Sequence, residues 1–276
     1  MTSLQKIIKY LAVAFAIFLI VSIISSILMV SYSLLNNFGL IGENQDIITD
    51  ELKIISNEID KIVSLKIDVN YTNLYIKKGN NFEVKTNNTK ITFKNNNGNI
   101  LLKESDKYLL NDEGLESNLV IYIPDDISIL DKVFIDSDAG KINIEWLNTK
   151  ELYFELGAGK VYMENAVVTN NTLIEGGAGK TELVNCNLNN LKANLDVGEF
   201  SFNGLLIGNN EINSGVGIVN IYLTSRINDY TINANKGLGS ITLNNKELES
   251  NKVYGTGDNY LKVNGGIGKI NINYGE

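Results

Sequence analysis

A Gly/Asp-x-Gly step followed by alternating apolar residues recurs seven times in the second half of this chain. No other feature constrains the fold as tightly. The steps are Asp138-Ala139-Gly140, Gly157-Ala158-Gly159, Gly177-Ala178-Gly179, Asp196-Val197-Gly198, Gly215-Val216-Gly217, Gly237-Leu238-Gly239 and Gly266-Ile267-Gly268. Their second glycines are 19, 20, 19, 19, 22 and 29 residues apart, as expected for one supersecondary unit stacked on itself. Seven and five residues before each second glycine the chain is mostly apolar, as at Val133 and Ile135 or Leu152 and Phe154. The residue just before the glycine is apolar in every copy. Two and four residues after it come pairs such as Ile142 and Ile144, Phe200 and Phe202, or Ile270 and Ile272. Odd offsets therefore face inward before the glycine and even offsets face inward after it. A strict period of two cannot switch in this way, so the glycine marks a bulge or corner.

A coil of about twenty residues at roughly 3.3 Å per residue wraps two or three short strands and returns one strand spacing higher, about 4.8 Å. The expected fold is all-β: a single-stranded, right-handed parallel β-helix, the hand following from parallel crossovers. An antiparallel meander or sandwich is the alternative, since it also shows regular turn signals. Upstream, Leu65, Ile67 and Val69, then Leu74 and Ile76, then Phe82 and Val84, and then Ile91 and Phe93 keep the period of two. Asp68 to Ile76 reads as a degenerate copy with Thr72 in the glycine position, and Gly98 to Leu102 as a partial copy. Lys103 to Ser117 reads as a loop and Leu119 to Pro124 as a strand, with the regular array starting near Val133. Ile48, Leu52, Ile55, Ile59 and Ile62 recur at helical steps. They predict an amphipathic helix, or a strand lead-in, that covers the end of the stack.

Leu11 to Val30 is almost wholly apolar, and no charge occurs between Lys9 and Glu43. About twenty residues at 1.5 Å rise cross a bilayer core, and Lys6 and Lys9 place the short N-terminal side in the cytoplasm. The resulting organisation is a cytoplasmic N-terminus over 1–10, a transmembrane helix over 11–30, a linker over 31–63 and a β-solenoid over 64–276. A cleaved signal peptide is the rival reading, but no small-x-small site follows the run. Beyond the apolar segment stand 22 basic and 32 acidic residues, a net charge of −10, which argues against nucleic acid and anionic lipid as partners. The composition, with abundant asparagine and one proline, reads as bacterial. The only cysteine is Cys186, so no intramolecular disulfide forms and stability rests on the stacked core.

Four residues before each second glycine stands a polar column: Asp136, Glu155, Glu175, Asn194, Asn213, Asn235 and Asn264. Its parity points outward. A solvated structural ladder continued by stacked amides is the plain reading, and an interaction ladder the functional one. Three neighbouring carboxylates also suit a cation, or acid/base work on a polysaccharide. Lys141, Lys160 and Lys180 follow five residues later and are expected to neutralise them. Gly177 to Thr181 ends like a P-loop, but Ile174 replaces the first glycine and a strand follows instead of a helix. Gly176 to Gly179 begins like a calcium-binding nonapeptide, but Thr181 replaces the ligand Asp. The chain contains no histidine, which excludes imidazole bases and His-ligated zinc. With no imidazole to activate it, Cys186 reads as a buried, inert thiol. Trp146, Tyr153 and Tyr162 are candidates for an aromatic patch. Neither catalytic residues nor a cofactor are expected.

The order of Leu65 to Ile76, the strand Ile121-Tyr122-Ile123-Pro124, the G-A-G-K, G-V-G and G-L-G steps and the final Gly265 to Ile270 closely resembles the bacterial putative-adhesin family of β-strand-repeat domains. The resemblance covers roughly residues 61 to 276. It implies a location in the cell envelope, with an envelope protein or a glycan as the class of partner, and it carries no established catalytic residue. It also implies a second role, as an accessory in envelope-stress signalling through a membrane partner.

Overall fold

The computed structural model describes residues 48–56, 59, 61–105, 116–127 and 129–275. The apolar segment Leu11–Val30 and most of the linker lie outside the described residues. Among the described residues no helix is long and apolar enough to cross a membrane.

The described chain is all-β, with one 3-10 turn at Ile227–Asp229, and its strands join one open sheet. In order these are β1 (Ile48–Ile54), β2 (Ser64–Val69), β3 (Asn73–Gly79), β4 (Glu83–Asn88), β5 (Ile91–Asn96), β6 (Asn99–Glu104) and β7 (Asn118–Pro124). The long strands β8 (Leu130–Ile144), β9 (Leu147–Glu164), β10 (Ala166–Asn189), β11 (Leu191–Ile207) and β12 (Asn209–Leu223) follow. The chain closes with β13 (Tyr230–Asn235), β14 (Leu238–Leu243), β15 (Lys246–Glu247), β16 (Lys252–Tyr254) and β17 (Asn259–Tyr274). From β8 to β12 each strand pairs in parallel with the next, and equivalent positions face each other: Gly140 with Gly159, Gly159 with Gly179, Gly179 with Gly198, Gly198 with Gly217. The antiparallel alternative does not hold for these coils.

The alternation found in the sequence is the burial pattern. Val133, Ile135, Ile142 and Ile144 in one coil, and Leu191, Ala193, Phe200 and Phe202 in another, are fully or almost fully buried in one continuous core. At about 25 cal/mol per Å² of apolar surface, this stack of aliphatic and Phe rungs is the main source of stability. Asparagine supplies many of the tight turns. Every non-glycine residue with positive φ among those described is an asparagine, Asn165, Asn185 and Asn190 among them, because its short polar side chain tolerates the left-handed region.

At both ends the stacking departs from chain order. β2 and β3 lie between β8 on one side and β6 with β7 on the other. At the far end β17 lies between β12 and the pair β13 and β14. The Gly239 step thus stacks outside the Gly268 step, which accounts for the irregular spacings of 22 and 29 residues. The array also begins before Val133, since Asp68 pairs with Asp136 and Leu74 with Ile142. This register puts Thr72 level with Gly140, as the degenerate copy predicted. The Gly98 segment needs a correction. Asn99–Glu104 stacks on Ser64–Val69, so it is the half coil before the corner, and Gly98 with φ +83° belongs to the β5–β6 hairpin.

Antiparallel strands cover the outermost coils: β5 on β6 and β4 on β7 at one end, β16 on β13 and β15 on β14 at the other. Such covering blunts the open edges of a parallel stack. The helical stripe is overturned over Ile48–Ile54, which is a strand antiparallel to β4, with Leu52 and Ile54 facing solvent. Tertiary pairing overrides the helical spacing here, and the lead-in role stands: Ile55 and Ile59 pack against the core and Ile62 is buried in it.

Candidate functional site

The outward columns on either side of the glycine corner hold most of the candidate side chains. At the corner the chain passes the preceding coil so closely that a side chain cannot fit. A Cβ on Gly179 would lie 1.9 Å from the carbonyl oxygen of Gly159, and φ there is +151°, a region that side chains rarely adopt. The flank before the corner and the flank after it are therefore separate rows of the surface, with the corner between them.

On the first flank the parallel register brings Asp136, Glu155 and Glu175 side by side, as their spacing predicted. It adds Asp68 as a fourth carboxylate, a position legible four residues before Thr72. Lys103 pairs with Asp68 at 2.7 Å. Partial burial, then the charges of Asp68, Glu155 and Asp138, hold the Asp136 carboxyl above its ordinary range. The amide half of the column is a continuous hydrogen-bond chain. Asn235 donates to Asn264 at 2.7 Å, Asn264 donates to Asn213, Asn213 donates to Asn194 at 2.7 Å, and the Asn194 amide reaches both Glu175 oxygens at 2.8 and 3.0 Å. An open groove of about 390 Å³ runs along Asp136, Glu155 and Glu175 to Asn194 and Asp196. Among the described residues no three Asp, Glu or Cys side chains converge as a metal cage would require.

The three lysines do not neutralise this column. They stand on the other flank, where Lys141 reaches Glu116 at 3.5 Å and Lys180 reaches Glu182 at 3.3 Å and Glu199 at 3.6 Å. No described acidic group pairs with Lys160. The corner between sequence and partner explains the miss: five residues is close along the chain but crosses from one flank to the next.

The residue before each glycine is also corrected. It does not join the core but crowns the corner, with Val197 54%, Val216 46%, Ile267 53% and Leu238 77% exposed. In the stack these form one row, running from Ala139 through Ala158 and Ala178 to Val197, Val216, Ile267 and Leu238. Because the chain turns at this point, the parity that holds for the strands fails for one residue.

The remaining candidates resolve simply. Thr181 points into the core and Lys180 pairs with glutamates, so the P-loop resemblance ends in strand structure. The Cys186 thiol is buried, faces the Val184 carbonyl at 3.3 Å, and is pushed up to about 11 by that burial, which suits the inert role. Tyr153 pairs in register with Phe134 on the first flank and Tyr162 with Asn143 on the second, so they do not make one aromatic patch. Lys132 lies over the Tyr153 ring at 4.1 Å and Lys78 over Trp146 at 5.4 Å.

One polar cluster escaped the sequence reading. The buried Glu104 accepts hydrogen bonds from the Asn70 backbone N–H at 2.7 Å, Thr72 Oγ1 at 3.1 Å and Asn88 Nδ2 at 2.8 Å, while Ser117 meets both Thr72 and Asn88. Thr72, Glu104 and Ser117 belong to segments far apart in sequence, so no local pattern announced them.

Comparison with known proteins fits this architecture. The Toastrack DUF4097 sequence profile matches residues 53–256, well over half of the chain. The chain belongs to this family. Two solved structures resemble this Toastrack chain. One, from Clostridium sporogenes ATCC 15579 and described as a putative cell adhesion protein, is 19% identical over 83% of this chain and 100% of its own, with a TM-score of 0.38. The other, from Bacteroides fragilis NCTC 9343 and described as a putative adhesin, is 12% identical over 81% of this chain and 98% of its own, with a TM-score of 0.47. No curated protein matches the chain.

Proposed function

We propose that this Toastrack protein is a membrane-anchored module of the bacterial cell envelope that acts by binding, adhesion or scaffolding and not by catalysis. Leu11–Val30 is the single transmembrane anchor in this reading, with the N-terminus in the cytoplasm and the stack, a right-handed β-helix, outside the cell. The observation that carries the proposal is the division of labour in each coil. Inward positions fill the core, and outward positions stack in register as long columns, of which the carboxylate and amide column is polar throughout. A stack of this kind presents an extended, rigid contact surface. The carboxylate and amide column of Asp136, Glu155, Glu175, Asn194, Asn213, Asn264 and Asn235 is the face offered to an envelope protein or a glycan.

Crosslinking in the native envelope tests this, comparing the intact protein with a form whose Leu11–Val30 is replaced by an unrelated membrane segment. Capture of wall or surface components by both forms supports the display role. Capture of a membrane signalling protein by the wild type alone replaces it with a regulatory one.

A further inference from the structure

The corner combines an apolar crest that runs the length of the regular stack with two charged rows in its first three coils, the lysine row continuing beyond them as Glu199 and Ile218. The apolar crest stands in the middle, carboxylates stand on the flank before it, and lysines stand on the flank after it. The two charged rows occupy the same coils: Asp136 with Lys141, Glu155 with Lys160, Glu175 with Lys180. The larger crest residues, from Val197 to Leu238, occupy the coils beyond them. From these rows we infer that the crest is the contact between two copies of this chain, set side by side with their stacks pointing the same way.

Symmetry fixes that orientation. A twofold axis parallel to the stack exchanges left and right but leaves height unchanged. It brings the carboxylate row of one copy opposite the lysine row of the other, coil for coil, and sets each crest residue against its own counterpart. An axis across the crest inverts height instead. Carboxylates then face carboxylates or amides, and Leu238 faces the alanine end. Charge complementarity therefore selects the parallel pair. Within one chain Asp136 and Glu155 have no cation within ion-pair distance among the described residues, only the longer-range charge of Lys66 on Asp136, and Lys160 has no carboxylate. A second copy supplies both.

Size agrees. Seven crest positions one strand spacing apart span about 29 Å. A specific interface needs about 800 Å² on each partner, so a strip of that length must be about 28 Å broad and must include both charged rows. Exposed Val, Ile and Leu in one continuous row mark a contact surface rather than chance exposure.

Single cysteines in the full chain, reconstituted in liposomes and mildly oxidised, test the pairing. Val197→Cys and Ile267→Cys each form a same-site disulfide dimer, because a parallel pair brings equal heights within the roughly 7 Å between Cα atoms that such a bond spans. Val167→Cys, exposed but on another part of the coil, gives only collisional background. Cys186 is buried and does not compete. Crosslinking at Val197 alone means an inverted pair, and crosslinking at neither site, or equally at Val167, means that the crest joins no copies; either result overturns the inference. A charge exchange gives an independent readout. Glu155→Lys and Lys160→Glu each weaken self-association at least about tenfold, and the double variant regains it. Failure of the double variant to regain it also overturns the inference.

Discussion

Single residues set the limits of this stack where backbone meets backbone. Gly179 has both a positive φ and no room for a Cβ beside Gly159, so Gly179→Ala is expected to cost at least about 2 kcal/mol. A urea midpoint unchanged from wild type would contradict that. Asp136 behaves oppositely. Its folded-state pKa lies above its unfolded value, so the stability linked to it is complete below the ordinary aspartate range and is lost as pH rises through the folded value. At neutral pH the ionised carboxylate is a net cost. Asp136→Asn, which removes the charge between Asp68 and Glu155, should stabilise the protein by about 0.5 kcal/mol at pH 7. The gain should vanish below about pH 4, where wild-type aspartate is itself protonated. Dilute protein, with copies apart, is the material for this comparison, and a gain that persists at pH 3 would refute the charge argument. Spacing alone showed the carboxylate and amide column, because identical positions in equal coils must stack. It misled at Val197, Val216, Ile267 and Leu238, because an apolar residue at a corner looks the same on paper as one in a core.

Among the elements, the parallel coils were readable because each repeats the last, whereas the end structures depend on unique pairings. The strand Ile48–Ile54 carries helical spacing yet pairs with β4, since an exposed edge offers a row of backbone partners that outweighs a weak local preference. The same holds for the joint between the first coils, where Asn70 and Thr72 from one segment and Asn88 from another converge on Glu104. Removing that acceptor takes the Glu104 partner from the buried Asn70 N–H and leaves Thr72 and Asn88 with Ser117 in place of the carboxylate. Glu104→Ala is therefore expected to cost about 3 kcal/mol, several times the effect of Glu182→Ala on the solvated flank. Chemical denaturation of the two variants decides it, and equal midpoints would show the cluster to be incidental.

For the molecule as a whole, the exchanged coils tie both ends of the array into its interior. β17 has a parallel neighbour on each side and buries Leu261, Val263, Ile270 and Ile272, each worth about 2 kcal/mol. β1, by contrast, pairs with β4 alone among the described residues. Deleting Asn259–Tyr274 should abolish cooperative thermal unfolding followed by circular dichroism, whereas deleting Ile48–Ile54 should lower the midpoint by only a few degrees. A small effect of the first deletion would mean that the coils on either side close up without it. The same arrangement imposes an order of events during synthesis. The segment Tyr230–Leu243 is made first and carries the same inward pattern as Asn259–Tyr274, so it competes for the free edge of β12. Few side chains arbitrate: the native neighbour sets Lys262 against Glu211 at 2.9 Å, where the early competitor would set Asn233. The native order thus reserves the edge of β12 for a segment made later, which alone sets Lys262 against Glu211.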